Sequence, residues 1–326
     1  GTATAGRGTP PYSAMLLLLT AACALKPPAA SVLSRRCFLF STTAASGSLA
    51  YTRPAVAAVP VGEREETTTC VIAVPGREPV GVPRQRYTGA GDSSWIYQEK
   101  PLPLFSPDTF PDSWPYTLAD FQRIDEDPDT RFYRIPKLVY HIDEGAVCAL
   151  MRYYDKHISD DSDVLDICSS WISHYPPDFP SRMRSISGTG ISALELACND
   201  QFKPAGSFKQ ADLNVKPVLP YPDRSMDVVT CVVSFDYLTK PLEVMREIAR
   251  VLRPGGKLIL SQSNRFFFTK AVSVWTTDVN DESHLRVLGN YIHFAGGFEQ
   301  PRAFDISPRG MGTNDPLFIV EAIKSA

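Results

Sequence analysis

The sequence predicts an α/β fold built on a mostly parallel sheet, on three observations. Residues 227–234 are β-branched and uncharged after the first, the pattern of a parallel strand buried on both faces. Leu242, Met245, Ile248, Ala249 and Leu252 then recur at helical spacing before a further apolar strand at 257–262, which makes a right-handed βαβ unit. Residues 164–167 form a short apolar strand that carries Asp166 and breaks into a turn of small residues. In open α/β sheets that is where ligands bind.

The length of 326 residues allows one large domain or two small ones. Charge is unevenly placed along the chain. Residues 1–57 hold Arg7, Lys26, Arg35, Arg36 and Arg53 and no acid, so the remaining 28 basic and 36 acidic residues give a net charge of −8. That acidity argues against non-specific nucleic-acid binding. The front segment reads as an address, with translation starting at Met15. Residues 15–25 are apolar but far too short to span a bilayer. Ser34-Arg35-Arg36-Cys37-Phe38-Leu39 follows, and then Ala55-Val56-Ala57 before Ala58, in the order of a twin-arginine export signal with its cleavage site. An acid-free organellar transit peptide is the alternative. Stacked signals predict a plastid protein delivered to the thylakoid lumen, with the plastid stroma or a bacterial periplasm as other destinations. Past the cleavage site, Cys70, Cys148, Cys168, Cys198 and Cys231 match no zinc spacing, and their odd number makes no disulfide framework. Cys148, Cys198 and Cys231 sit in apolar contexts expected of small core residues.

In chain order, residues 58–124 form an irregular extension, because nine prolines between Pro60 and Pro115 remove backbone donors and disfavour helix. Within it residues 68–74 read as a single strand, and Trp95, Tyr97, Trp114 and Tyr116 are its expected anchors on the core. The folded domain is predicted to occupy residues 125–326. A helix follows Asp143 as N-cap, with Val147, Leu150, Met151 and Tyr154 on one face, placed to cover the site. An aspartate-rich loop separates it from the strand at 164–167. Residues 183–191 read as a second strand and 192–199 as a short helix. Pro241 opens the next helix, Arg246, Arg250 and Arg253 favour its carboxyl end, and Gly255-Gly256 closes it. An apolar strand at 317–323 ends the chain.

Taken in order, Val-Leu-Asp at 164–166, Ala-Asp-Leu-Asn at 211–214, Leu-Pro-Tyr at 219–221, Met-Asp-Val-Val at 226–229 and Arg-Val-Leu-Arg-Pro-Gly-Gly-Lys-Leu at 250–258 resemble class I S-adenosylmethionine-dependent methyltransferases, of the type 11 branch. The resemblance covers about residues 132–323. It looks nearest to plastid and cyanobacterial members with the Cys-Ser-Ser-Trp turn. It implies a Rossmann-like sheet of seven mostly parallel strands, the last antiparallel, flanked by helices, and S-adenosyl-L-methionine as cofactor. Carried over by position, Asp166 and the turn Ile167, Cys168, Ser169 and Ser170 would border the methionine part. Glu195 would stand in for the acid that usually accepts the ribose hydroxyls, because the second strand ends Gly188-Thr189-Gly190. Asp212 would accept from the adenine amino group beside Leu213 and Asn214. Ser234 and Tyr237 would face the sulfonium and the methyl acceptor.

Methyl transfer needs in-line positioning, and a base where the acceptor must lose a proton. His141, His174 and Tyr237 are the candidates, with Tyr133 to orient an acceptor. For each histidine the plain alternative is a structural hydrogen bond. Residues 261–268 and 291–298 are expected to line a pocket for a small, partly apolar acceptor. The turn has no glycine to let backbone approach a ligand, and bulky Trp171 follows it. A degenerate scaffold attached to a thylakoid membrane complex through its extension is therefore the competing expectation. An indole that filled the crevice would favour it.

Overall fold

The computed structural model describes residues 70–72 and 80–82 as backbone, and 97–309 and 314–326 in full. The predicted presequence, its arginine pair and cleavage site, and Trp95 lie outside the described residues.

Buried, branched segments make one eight-stranded sheet. In chain order its strands are β3 (Lys100–Leu102), β4 (Asp163–Ile167), β5 (Ser185–Gly190), β6 (Phe208–Gln210), β7 (Met226–Val232), β8 (Leu252–Gln262), β9 (Arg302–Asp305) and β10 (Phe318–Ile323). Their spatial order is β3-β9-β10-β8-β7-β4-β5-β6. From β8 to β6 neighbours run parallel, whereas β10 is antiparallel to β8 and to β9. Two short strands, β1 (Cys70–Ile72) and β2 (Val80–Val82), pair separately as an antiparallel ribbon, where the sequence predicts one strand.

Period-2 alternation sends successive residues to opposite faces. Val164, Val228 and Ile259 pack under α1 (Glu144–His157), whereas Leu165, Val229 and Leu258 pack under α3 (Pro241–Val251) and α5 (Asp281–Ala295). The helix starts follow from their caps. Asp143 accepts from the Ala146 N–H at 2.8 Å to begin α1, and Ser192 caps the short α2 (Ala193–Ala197). Asn280 caps α5 after the single turn α4 (Ser273–Thr277). On α3, Val244, Met245, Ile248 and Val251 are buried, each worth about 1.5–3 kcal/mol. No helix among the described residues is long and apolar enough to cross a membrane.

The fold is the predicted one, with several corrections. The sheet has eight strands, not seven, because Lys100–Leu102 of the extension adds to β9 as an antiparallel edge strand. The extension is also anchored by aromatic rings, as expected for Trp114 and Tyr116. Trp114, Tyr116 and Phe121 pack on Tyr291 of α5, with ring centroids 5.8–6.2 Å apart. That packing takes Tyr291 away from the pocket it was expected to line, and His293 stacks on Phe110 instead. Helix α3 ends at Val251, and residues 252–256 already belong to β8. The aspartate-rich loop is pinned: Arg182 pairs with Asp155 and Asp160, and Arg184 with Asp161 and Asp163. Cys148 and Cys198 are buried as expected, but they are disulfide-bonded and not free thiols.

Candidate active site

The carboxyl ends of β4, β5 and β7 open into a crevice with about 70 Å³ of water-accessible space. Sequence-predicted Asp166, Cys168, Ser169, Ser170, His174, Glu195, Leu213, Asn214, Ser234, Tyr237 and His141 all line it. Two predicted cofactor residues do not. Ile167 is fully buried in the core, because alternation turns it away from Asp166. Asp212 is not on the wall either. Its Oδ1 accepts from the Asn214 and Val215 N–H groups at 3.0 and 3.2 Å, which fixes the turn after β6.

The turn after β4 works without glycine. Cys168 takes a left-handed φ of 51°, the conformation a glycine would adopt easily. The Ser169 N–H donates to the Thr189 oxygen at 2.8 Å, and this clips the turn onto β5. The close approach is made possible from the other side. A Cβ on Gly190 would stand 2.2 Å from the Ser169 carbonyl oxygen. Trp171 leaves the crevice altogether. Its indole N–H donates to the Val139 oxygen at 2.9 Å, and its ring packs edge-on against Tyr140.

Asp166 is sealed under this turn, where it accepts from the hydroxyls of Ser169 (2.5 Å) and Thr230 (3.3 Å). Thr230 also bonds Tyr175 at 2.6 Å. Burial pushes the Asp166 carboxyl up to about 7 against the hydrogen bonds that hold it down. Glu195 is buried too. One oxygen accepts from the Lys137 N–H at 2.7 Å and the other from the Ser170 hydroxyl at 2.7 Å. Burial raises its carboxyl above the usual range. Asn214 is committed to structure: its amide donates to Asp129 and the Tyr237 oxygen, and its carbonyl accepts from Thr239.

His174 is 1% exposed, sits at φ 57°, and its Nδ1 has no partner. Burial first, then nearby His141, push it down to about 3. Burial also lowers His141, so both imidazoles are neutral near pH 7. The Tyr237 hydroxyl accepts from the Phe267 N–H at 2.8 Å. Next to it Asp236, which sequence reasoning missed, is fully buried, and that burial raises its carboxyl well above the usual range. Nothing in the pattern of residues 235–237 marks such an acid, because only packing removes its solvent.

The folded-state value of His174 lies below the ordinary 6.5, so the unfolded chain takes up a proton first as pH falls. Stability from this group is complete above about 6.5 and is lost toward about 3. Asp166, raised to about 7, works in the opposite sense over part of that window. A comparison of variant with wild type isolates the histidine. His174→Asn, which tolerates the left-handed φ, should gain about 2 kcal/mol relative to wild type between pH 7 and 5. Urea titrations at the two pH values read this, and parallel curves would contradict it.

A second cavity of about 390 Å³ opens beside the first. His141, Val233, Tyr237 and Phe267 line both. Val139, Tyr140, Ile142, Phe266, Arg265, Asp143 and Asp315 complete it, so of the expected residues 261–268 only Arg265, Phe266 and Phe267 take part.

A parallel sheet closed by an antiparallel strand, with this crevice at its switch point, is the class I methyltransferase architecture. Residues 175–260 match the family described as a methyltransferase domain, over about a quarter of the chain. Over 77 residues the chain is 36% identical to the ubiquinone biosynthesis O-methyltransferase of Xanthomonas oryzae pv. oryzae, which is 24% of this chain and 30% of that protein. It is 52% identical over 42 residues to the 27-O-demethylrifamycin SV methyltransferase of Amycolatopsis mediterranei, 13% of this chain and 15% of the other. The chain thus spans under a third of these relatives. Among solved structures it is similar to an S-adenosylmethionine-dependent methyltransferase from Aquifex aeolicus, with TM-score 0.39 and 14% identity over 60% of this chain and 97% of that one. It is also similar to phosphoethanolamine N-methyltransferase 2 of Haemonchus contortus in complex with S-adenosyl-L-methionine, with TM-score 0.39 and 12% identity over 54% and 52%. The family match over residues 175–260 and the fold are those of a methyltransferase-type domain, and S-adenosylmethionine is the cofactor such a domain implies.

The residues present fit that cofactor. Gly190 and the Cys168 turn bring small groups to the crevice floor. Asp166 and Glu195 keep further lone pairs for amino or hydroxyl donors, since each carboxylate oxygen can accept twice.

Proposed function

We propose that the chain binds S-adenosylmethionine in the first crevice and methylates a small, partly apolar acceptor held in the second. The observation that carries this reading is the junction of the two cavities at His141, Val233, Tyr237 and Phe267, at the carboxyl end of β7. When bound, the cofactor supplies an electrophilic methyl group on a sulfonium. Asp166, Ser169, Ser170, Glu195 and Leu213 would hold it. Val233 and Phe267 keep the junction apolar and exclude water, while Tyr237, fixed by the Phe267 N–H, orients the acceptor. The outward turn of Trp171 removes the main reason for reading the domain as a degenerate scaffold.

The order of the front-end signals supports delivery to the thylakoid lumen of a plastid, and disulfide-bonded Cys148 and Cys198 fit an oxidising compartment. Contact with a thylakoid membrane complex through the extension, and a place in the plastid and cyanobacterial branch, belong to the same reading. Isothermal titration of the full chain with S-adenosylmethionine is expected to give saturable binding at micromolar cofactor. Absence of heat at millimolar cofactor would end the proposal.

A further inference from the structure

Two thiols meet at the floor of the first crevice. Cys168 and Cys231 are free, whereas Cys148 and Cys198 are disulfide-bonded. Strand β4 runs beside β7, with Ile167 opposite Cys231. Neighbouring strands lie about 4.8 Å apart and one residue adds about 3.3 Å along a strand, so the Cα atoms of Cys168 and Cys231 stand roughly 6 Å apart. A disulfide spans Cα separations of about 4.4–6.8 Å.

Strand alternation alone would send Cys168 to the face opposite Ile167. Its left-handed φ of 51° breaks the alternation, and Cys168 packs on the core layer that holds both Ile167 and Cys231. The two thiols lie within hydrogen-bond reach of each other. Their access differs. Cys168 is half-buried and lines the crevice, so a small solute reaches its sulfur. Cys231 is 1% exposed, and burial pushes its thiol well above the ordinary value. Reaction therefore starts at Cys168.

The position of β4 in the sheet, between β7 and β5, decides what a bond between the thiols would do. Drawing Cys168 toward Cys231 pulls the turn toward β7 and away from β5. The hydrogen bond from the Ser169 N–H to Thr189 is then stretched, and Ser169 and Ser170 move with the backbone.

From this arrangement we infer that Cys168 and Cys231 form an oxidation site for a small peroxide, and that their disulfide weakens S-adenosylmethionine binding, the second part resting on the methyltransferase reading. In the first step the Cys168 sulfur attacks one peroxide oxygen and the oxygen–oxygen bond breaks. Cys168 becomes a sulfenic acid, and the other oxygen leaves as water with the thiol proton. In the second step the Cys231 sulfur attacks the Cys168 sulfur, and the sulfur–oxygen bond breaks. The hydroxyl departs as water with the Cys231 proton. The two thiols have then lost two electrons and two protons, and the peroxide has become two waters.

The test treats the full chain with hydrogen peroxide, alkylates the remaining thiols and maps the peptides by mass spectrometry. A cross-linked peptide joining Cys168 to Cys231 is expected, and dithiothreitol should remove it. Cys231→Ala should leave Cys168 as a sulfenic acid that dimedone traps, and Cys168→Ala should leave Cys231 reduced. Alkylation of both thiols after peroxide, or oxidation of Cys231 in Cys168→Ala, overturns the site. Calorimetric titration with S-adenosylmethionine reads the second part. The oxidised wild type should bind at least tenfold more weakly than the reduced protein, and dithiothreitol should restore its affinity. Cys168→Ala should bind equally before and after peroxide. Equal affinity in the oxidised and reduced wild type overturns the effect on binding. A reduced protein that binds no cofactor would sink the methyltransferase reading and that second part with it, and would leave a mapped bridge standing by itself.

Discussion

Gly190→Ala is expected to lower stability by about 2–3 kcal/mol and to reduce affinity for S-adenosylmethionine at least tenfold. The added Cβ would lie 2.2 Å from the Ser169 carbonyl oxygen, a contact that real structures do not contain. Backbone must move, and neither side is free to do so. Ser169 is clipped to Thr189 by its N–H, and Gly190 accepts from the Ala211 N–H at 2.9 Å. Overpacking of this kind costs about 1–3 kcal/mol before any loss of backbone hydrogen bonds. The displaced turn carries Ser169 and Ser170, so binding should suffer along with stability. Gly255→Ala is the control. It replaces a glycine that, unlike Gly190, has a positive φ, but nothing lies within 4 Å of the new methyl group. Its cost should be about 1 kcal/mol, with cofactor affinity unchanged. Urea denaturation and calorimetric titration read both quantities. Wild-type affinity in Gly190→Ala would remove the turn from the binding site.

Asp129→Ala should cost about 3–5 kcal/mol, the usual penalty for removing one partner of a buried ion pair. Asp129 accepts two hydrogen bonds from the Arg123 guanidinium at 2.8 and 2.9 Å, and it lies 3.3 Å from the Lys270 ammonium. All three side chains are less than 10% exposed, so truncation would take from two buried cations the carboxylate they share, leaving Lys270 with Asp125 and Arg123 with the more distant Glu126. Asn214 donates to the same carboxylate and to the Tyr237 oxygen, which links this cluster to the wall of the crevice. Loss of Asp129 should therefore also weaken acceptor binding. Adding Lys270→Met should recover part of the stability, because one buried charge that has lost its buried partner disappears. Equal denaturation midpoints for wild type and Asp129→Ala would refute the account.

Much of this architecture was legible because its signals are local. The strand at 227–234, the helix after Pro241 and the Asp143 cap each depend on neighbours a few residues apart, and each appears within a residue or two of its expected place. Most of the crevice wall could be read from motif order, since the carboxyl ends of parallel strands must converge. What escaped depends on distant contacts. Asp212 and Ile167 were placed on the wall by position alone, whereas a turn hydrogen bond and strand alternation decide where they point. The role of Gly190 could not be seen, because its partner Ser169 lies in the turn after another strand. Asp129 was assigned no role, since nothing in the local pattern announced Arg123 and Lys270 as its buried partners.

The three residues Lys100–Leu102 have a consequence for handling the molecule. They occupy the outer rim of β9, and hydrogen-bonding groups on such a rim otherwise invite another chain to pair. A protein trimmed at residue 124, where composition changes, would keep every wall residue named above and lose this guard. It would also lose the aromatic plug of Trp114, Tyr116 and Phe121 on α5. Such a trimmed protein is expected to form oligomers or precipitate, whereas one beginning before Tyr97 keeps its sheet edge closed. The proline-rich lead-in is thus part of the container, and the smallest useful unit is longer than its motifs.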